Sequence, residues 1–332
     1  MARTVALQIG INGAFLTRRW EEPESWMRLT RECGYRVHEF CGDVLDPFFS
    51  GDRDYQVRTA RQVREAAARY GIHITDIYTG VATHRFHGLS HRDPSCRRRM
   101  AEWIEQCMEL ALEMGTDRVG GHWDAFSVEV LSDPKREKEA FARICQTFRE
   151  LAAMGKRKGI AAIYNEQMYI PSEIPWTLDQ AEQFLAEVNR GSAGCPVYLT
   201  VDTGHQAGQA YGLTAPDTDY TAWLRRFAPV AEIVHIQQTT PEASHHWPFT
   251  PAYNERGGVR LERILEAVEQ GHREWEGNPL SAVMAPVART FLVAELIPGS
   301  TKTEQTVLEE LTISAQYLRQ YVPEAGLTLS VP

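Results

Sequence analysis

Short runs of β-branched and apolar residues recur along the chain, and the stretches between them repeat their apolar positions at three- and four-residue steps. The strand-like runs are Val5–Ile9, Tyr35–Phe40, His73–Tyr78, Arg118–Gly121, Ile160–Glu166, Val197–Asp202, Glu232–Ile236 and Phe291–Ile297. Helical periodicity fills the intervals at Asp54–Tyr70, Thr177–Asn189, Leu261–Gln270 and Thr303–Tyr321, and again where Met100, Trp103, Cys107, Leu110 and Met114 fall on one face. Gly115 predicts a C-cap there, and Asp133 before Pro134 predicts an N-cap with proline at the first helical position. Strand plus helix plus loops takes roughly 30–45 residues, and eight such units predict a (β/α)8 TIM barrel. We expect one domain over residues 1–332, because no low-complexity or Pro/Gly linker divides it. The stretches 80–93, 237–258 and 271–290 read as long loops of that domain. An open doubly wound sheet is the alternative, and it lacks the Gly-rich phosphate turn after the first strand.

Composition narrows the function. At 43% hydrophobic and 24% charged residues the chain suits a globular fold, and a net charge of -9 argues against a general nucleic-acid binder. The six cysteines, at 33, 41, 96, 107, 145 and 195, form no CxxC pair and read as reduced thiols of a cytoplasmic protein. Neither a signal peptide nor a membrane span is expected, since no stretch approaches the ~18 apolar residues a span requires. Of the 35 basic residues only Lys135, Lys138, Lys156, Lys158 and Lys302 are lysines, and none lies in an apolar run. Schiff-base chemistry needs a desolvated lysine and is therefore disfavoured.

Barrel active sites lie at the C-terminal ends of the strands. There the sequence places Glu166 ("IYNEQMY"), Asp202 with His205 ("YLTVDTGHQ"), His235 ("EIVHIQQ") and Glu295 ("FLVAELIPG"). Converging carboxylates repel one another and are costly to desolvate, and a divalent cation relieves both. Oxygen-rich donors with one imidazole suit a single Mn²⁺, Mg²⁺ or Co²⁺ ion, with Zn²⁺ also compatible; Mn²⁺ is the first choice.

These motifs resemble the xylose isomerase-like TIM-barrel superfamily, in its sugar isomerase/epimerase branch that includes the ketose 3-epimerases. The segment "SHRDPSCRRRMAEWIEQCMELALEMGTDRVGGHW" is similar to that family's link between strands three and four. "YNEQMYIPSEIPWT", "VDTGHQAGQ" and "HIQQTTPEASHHW" are similar to the erythrulose-phosphate (tetrulose-phosphate) 3-epimerases of erythritol catabolism. The resemblance implies that Glu166, Asp202, His235 and Glu295 are metal ligands and that Glu166 and Glu295 are also the acid/base pair. It implies that His205 contacts a substrate oxygen near the metal. Free-sugar 3-epimerases place an arginine shortly after the strand-seven histidine; here Gln237, Gln238, Thr239 and Thr240 follow, with no arginine before Arg256. That departure implies a differently held ligand, such as a short ketose phosphate. The activity implied is epimerisation by proton abstraction beside the carbonyl and return on the opposite face. The resemblance implies a small sugar or sugar phosphate as partner, with neither nucleic acid nor membrane, and it leaves room for a homo-oligomer without fixing the oligomeric state.

Secondary expectations attach to neighbouring residues. His122 and Trp123, after the Gly120-Gly121 pair, are expected to line the cavity, and His245 and His246 to contact the ligand from the long loop after strand seven. Gly299-Ser300-Thr301 opens the last helix, with Thr301 and Glu304 at capping-box spacing, a position where barrels also hold phosphate. His84, His87 and His91 raise a weaker case for a second metal. Competing activities are a free-ketose 3-epimerase, an aldose–ketose isomerase, an endonuclease of the same superfamily, and a sugar-binding barrel without catalysis.

Overall fold

Buried on both faces, the strands of a parallel barrel are almost continuously apolar, and the runs read from the sequence have that character. In the computed structural model, which describes residues 3–79, 83 and 86–331, they become β1 (Arg3–Asn12), β2 (Val37–Cys41), β3 (His73–Tyr78), β4 (Arg118–Gly120), β5 (Ala162–Glu166), β6 (Val197–Asp202), β7 (Ile233–Ile236) and β10 (Arg289–Ala294). Each pairs in parallel with its neighbour, and β1 closes on β10 through Ala6↔Arg289 to Ile11↔Ala294. Closure decides for the barrel over the open sheet.

Helices α1 (Pro23–Glu32), α2 (Arg53–Tyr70), α3 (Pro94–Met114), α5 (Pro134–Lys158), α6 (Leu178–Asn189), α7 (Tyr220–Phe227), α9 (Leu261–Arg273) and α10 (Glu304–Arg319) occupy the crossovers. Their ends follow the sequence signals. Asp133 accepts hydrogen bonds from the amides of Lys135 and Arg136, and Gly115 ends α3 at φ 85°, a conformation that costs glycine little. The last helix starts differently from expectation. Thr303, not Thr301, is its N-cap and accepts from the amide of Thr306, so no Thr301–Glu304 capping box forms.

The main core lies between helices and barrel, where residues such as Ile9, Ile163, Leu199, Phe184 and Trp223 are fully buried. A smaller cluster of Val37, Tyr78, Ala162, Tyr164, Ile233, Phe291 and Val293 fills the barrel itself. Below it Arg118 meets Glu232 at 2.7 Å, and the Tyr164 hydroxyl donates to the same carboxylate at 2.6 Å. These side chains and the apolar cluster separate the upper mouth of the barrel from its lower end.

One stretch expected to be a loop is ordered, and two further elements were not anticipated. Within 237–258 lie a hairpin, β8 (Gln238–Thr240) with β9 (Ala243–Trp247), and a short helix α8 (Pro251–Arg256). At the C-terminal end of the chain β11 (Leu327–Val331) pairs antiparallel with the lower half of β1, from Arg3↔Val331 to Leu7↔Leu327. A further helical turn, α4 (Val128–Leu131), precedes α5.

Candidate metal centre and active site

Strand register brings the four proposed ligands onto one face. Asp202 pairs with His235 across β6 and β7, while Glu166 pairs with Thr200, two residues before Asp202. His235 pairs with Val293, two residues before Glu295, which sits just past the end of β10. With a side-chain period of two, these offsets point all four side chains into the barrel mouth. Each offers one ligand atom, and these atoms lie within 4.8 Å of one another. Donors about 2.0–2.3 Å from one cation are necessarily about this close.

The His235 ring divides its surroundings. Its Nδ1 faces Glu166 Oε1 at 3.1 Å, Glu295 Oε2 at 3.4 Å and Asp202 Oδ2 at 4.0 Å. Its Nε2 lies 2.9 and 3.1 Å from the two oxygens of Glu39. A lone pair on Nδ1 aimed at three carboxylates is repulsive unless a positive charge stands between them. Burial disfavours an imidazolium, yet Glu39, Glu295 and Glu166 overcome it and push His235 well above the ordinary histidine range. A proton on Nδ1 or a cation bound among the four side chains would supply that charge. Glu295 Oε2 makes the same point, being buried without a hydrogen-bond partner among the described residues although two imidazole nitrogens lie within 3.4 Å.

The carboxylates differ in their settings. Burial raises Glu166, against the opposing pull of His235. Burial would raise Glu295 as well, but His235 and His246 draw it well below the ordinary range. Asp202 is tied by three neighbours: its Oδ1 accepts from the Gly204 amide at 2.6 Å, its own amide donates to Gln167 Oε1 at 3.0 Å, and the Gln237 amide group donates to both carboxylate oxygens at 3.0–3.1 Å.

Other residues singled out in the sequence divide between mouth and core. His205 Nδ1–H donates to the Gln167 carbonyl at 2.6 Å, which leaves Nε2 3.5 Å from Asp202 Oδ2 and open to the cleft. His246, on β9, sets its Nδ1 3.2 Å from Glu295 Oε2. It holds a left-handed backbone conformation (φ 51°), secured by its amide donating to Gln237 Oε1 at 2.6 Å. His245 turns the other way, stacking on Trp247 at 3.9 Å, while Arg256 covers that indole at 4.5 Å. Trp123 is 1% exposed and stacks on Phe148 of α5, so it belongs to the core between helix and barrel rather than to the cleft wall. His122 is buried beside it, and burial lowers it to about 4. His87 lies 2.6 Å from the Ala125 carbonyl and His91 accepts from the Asp93 amide; His84 lies outside the described residues.

The cleft above the four ligands measures about 610 Å³. Asn12, Tyr169, Glu173, His205 and Ser244 give it polar contacts, and Ala14, Met168, Ile170 and Ile297 give it apolar walls. A second cavity of about 300 Å³ adjoins it at His246 and Ile297, with His245, Tyr253, Lys302 and Glu310 among its lining.

Several residues here escaped sequence reasoning. Glu39 stands in the middle of β2 and Asn12 at the end of β1, with the Asn12 side-chain amide hydrogen-bonded to Glu39. Gln167 and Gln237 directly follow β5 and β7. Asp76 is buried on β3, raised well above the carboxylate range by burial and by Glu39. The signal for Glu39 and Asp76 was a lone acid inside an apolar strand, which is expensive unless partnered.

The sequence profile described as "Xylose isomerase-like TIM barrel" matches residues 27–275. A D-erythrulose 1-phosphate 3-epimerase of Brucella abortus (strain 2308) is 24% identical over 268 residues, covering 80% of this chain and 85% of its own. Among solved structures, a xylose isomerase candidate from Rhodospirillum rubrum ATCC 11170 superposes with a TM-score of 0.80 at 24% identity, over 96% of this chain and 100% of that one. The IOLI protein, solved with a bound zinc atom, gives 0.65 at 15% identity over 96% and 100%.

Proposed function

The chain belongs to the xylose isomerase-like TIM barrel family and is an isomerase, and on that footing we propose that it is a divalent-metal-dependent 3-epimerase of a short ketose phosphate. One observation carries the reading: Glu166, Asp202, His235 and Glu295 present their donor atoms within 4.8 Å of one another at the barrel mouth. Glu166 arrives from β5 and Glu295 from the end of β10, with β6 and β7 between them, so a molecule in the mouth meets one carboxylate from each side.

A cation held by these four residues supplies Lewis acidity, which makes a C–H beside a carbonyl easier to ionise. Mn²⁺ suits the three carboxylates and one imidazole, and the zinc of the IOLI protein makes Zn²⁺ a second option. The chain's own side chains perform the proton transfers. One glutamate removes the proton from the carbon, and the other delivers one to the opposite face. His205 Nε2, fixed by its Nδ1–H bond to Gln167, presents a polar contact to a substrate oxygen. His246 steadies Glu295, and Met168, Ile170 and Ile297 keep water from the reacting carbon.

Support for a tetrulose phosphate comes from the Brucella relative and from the motifs shared with that kind of epimerase. Incubation with Mn²⁺ and D-erythrulose 1-phosphate in D₂O tests the proposal. We expect the epimer to form with deuterium at the inverted carbon. Turnover without deuterium points to hydride transfer, and activity confined to free ketoses overturns the phosphate assignment.

A further inference from the structure

The imidazole of His235 has two nitrogens, and only one can serve the proposed centre. Nδ1 faces the three other ligands, whereas Nε2 lies 2.9 and 3.1 Å from Glu39, a side chain with no solvent exposure. A carboxylate on the far nitrogen accepts an N–H, fixes the tautomer and raises the basicity of the near nitrogen. We propose that Glu39 is the positioning residue of this centre, holding His235 with Nε2–H turned inward and Nδ1 turned toward the cleft.

The surroundings of Glu39 are built for that task. Its Oε2 also receives the Asn12 side-chain amide. Asn12 is itself immobilised, since its Oδ1 accepts from the Ala14 amide at 2.8 Å in the turn that leaves β1. The Tyr78 ring packs edge-on against His235 at 4.6 Å, blocking rotation of the imidazole out of line. Two strands outside the set that carries the ligands, β1 and β2, therefore determine how a ligand on β7 is presented. Glu39 is not itself part of the cleft lining; its hydrogen bonds go to His235 and to Asn12, and none joins it to Glu166, Asp202 or Glu295, so its effect on those ligands passes through His235.

This role rests on the metal reading above, and the test separates the two. Metal-free wild type, Glu39→Gln and Glu39→Ala are titrated calorimetrically with Mn²⁺, and the visible spectrum of Co²⁺ is recorded in each. Loss of such an outer partner weakens metal affinity by about 10–100-fold, which we expect for Glu39→Ala. Glu39→Gln keeps the shape and an acceptor oxygen but not the charge, so it should fall between, with an altered Co²⁺ spectrum and a metal-free melting temperature near wild type. Being nearly isosteric, it also serves if the alanine variant does not fold. Wild-type affinity in Glu39→Gln, or a drop in melting temperature with affinity unchanged, overturns the positioning role and leaves the metal site standing. Failure of wild type itself to bind Mn²⁺ or Co²⁺ removes the centre, and the role with it.

Discussion

Glu295→Gln separates the chemistry from the scaffold. The side chain is 12% exposed, and its Oε2 accepts no hydrogen bond from the described residues, so an amide there forfeits only the attraction to His246 at 3.2 Å and His235 at 3.4 Å. Breaking a buried ion pair is costly when it strands a charge, but His235 keeps Glu166 and Glu39 as neighbours. We therefore expect the metal-free fold to lose no more than roughly 1–2 kcal/mol. Turnover should fall much further. One positioned acid/base group is worth about 10²–10⁴-fold, or roughly 3–5 kcal/mol of barrel-mouth catalysis. The decisive assay is proton NMR in D₂O with Mn²⁺ and each of two epimeric tetrulose phosphates. Glu166 remains able to remove and return a proton on its own face. The variant should consequently exchange hydrogen for deuterium in one epimer only, without inverting it. Epimerisation at a rate within about tenfold of wild type would refute the two-carboxylate assignment.

Chelation with EDTA should abolish turnover, and Mn²⁺ should restore it; a fully demetallated protein that still turns over would end the metal argument. Adding Mn²⁺ to the metal-free protein should also raise its melting temperature, by about 2.7 kcal/mol of linkage at a hundredfold excess over Kd, measurable by calorimetry. Gly121→Ala should destabilise by more than about 2 kcal/mol in urea unfolding, because a Cβ there would stand 1.6 Å from Thr79 Oγ1 and the backbone is at φ 138°. His272 of α9 is 1% exposed, and burial followed by Arg3 lowers it to about 4. The unfolded chain, with an ordinary histidine, binds the extra proton between about pH 6.5 and 4, so stability falls as pH drops through that window, by about 2 kcal/mol at pH 5. Urea midpoints at pH 7.5 and 5 should differ less in His272→Gln than in wild type, and an unchanged difference would reject the assignment.

Much of the fold was legible because parallel strands are buried on both faces and announce themselves as apolar runs. The candidate ligand set was legible for a related reason: Glu166 and Asp202 close such runs and Glu295 interrupts one, positions where a buried carboxylate is costly without a partner. Glu39 was harder. All five residues of β2 are buried, so no alternation tells which face His38 and Glu39 occupy, and a register shift between His38 and Phe40 disturbs the count of two. The hairpin was hidden by its composition, since Gln238–Thr240 is short and polar though largely buried and Ala243–Trp247 is half-buried throughout, so hydrophobic patterning has nothing to report there. Trp123 was misread for the opposite reason. Its neighbours Gly120 and Gly121 mark the strand end correctly, but the ring turns back onto Phe148 because a tertiary contact with α5 offers it full burial.

The hairpin of β8 and β9 puts the partner of Glu295 on a ribbon outside the wheel of barrel strands. His246 reaches Glu295 from this ribbon, and His245, His246 and Trp247 form one part of the wall of the neighbouring cavity. Changes in the length or sequence of that ribbon would reshape which molecules are welcomed, while the strands that carry Glu166, Asp202 and His235 stay as they are. Recognition evolves as an attachment, and reactivity as a foundation.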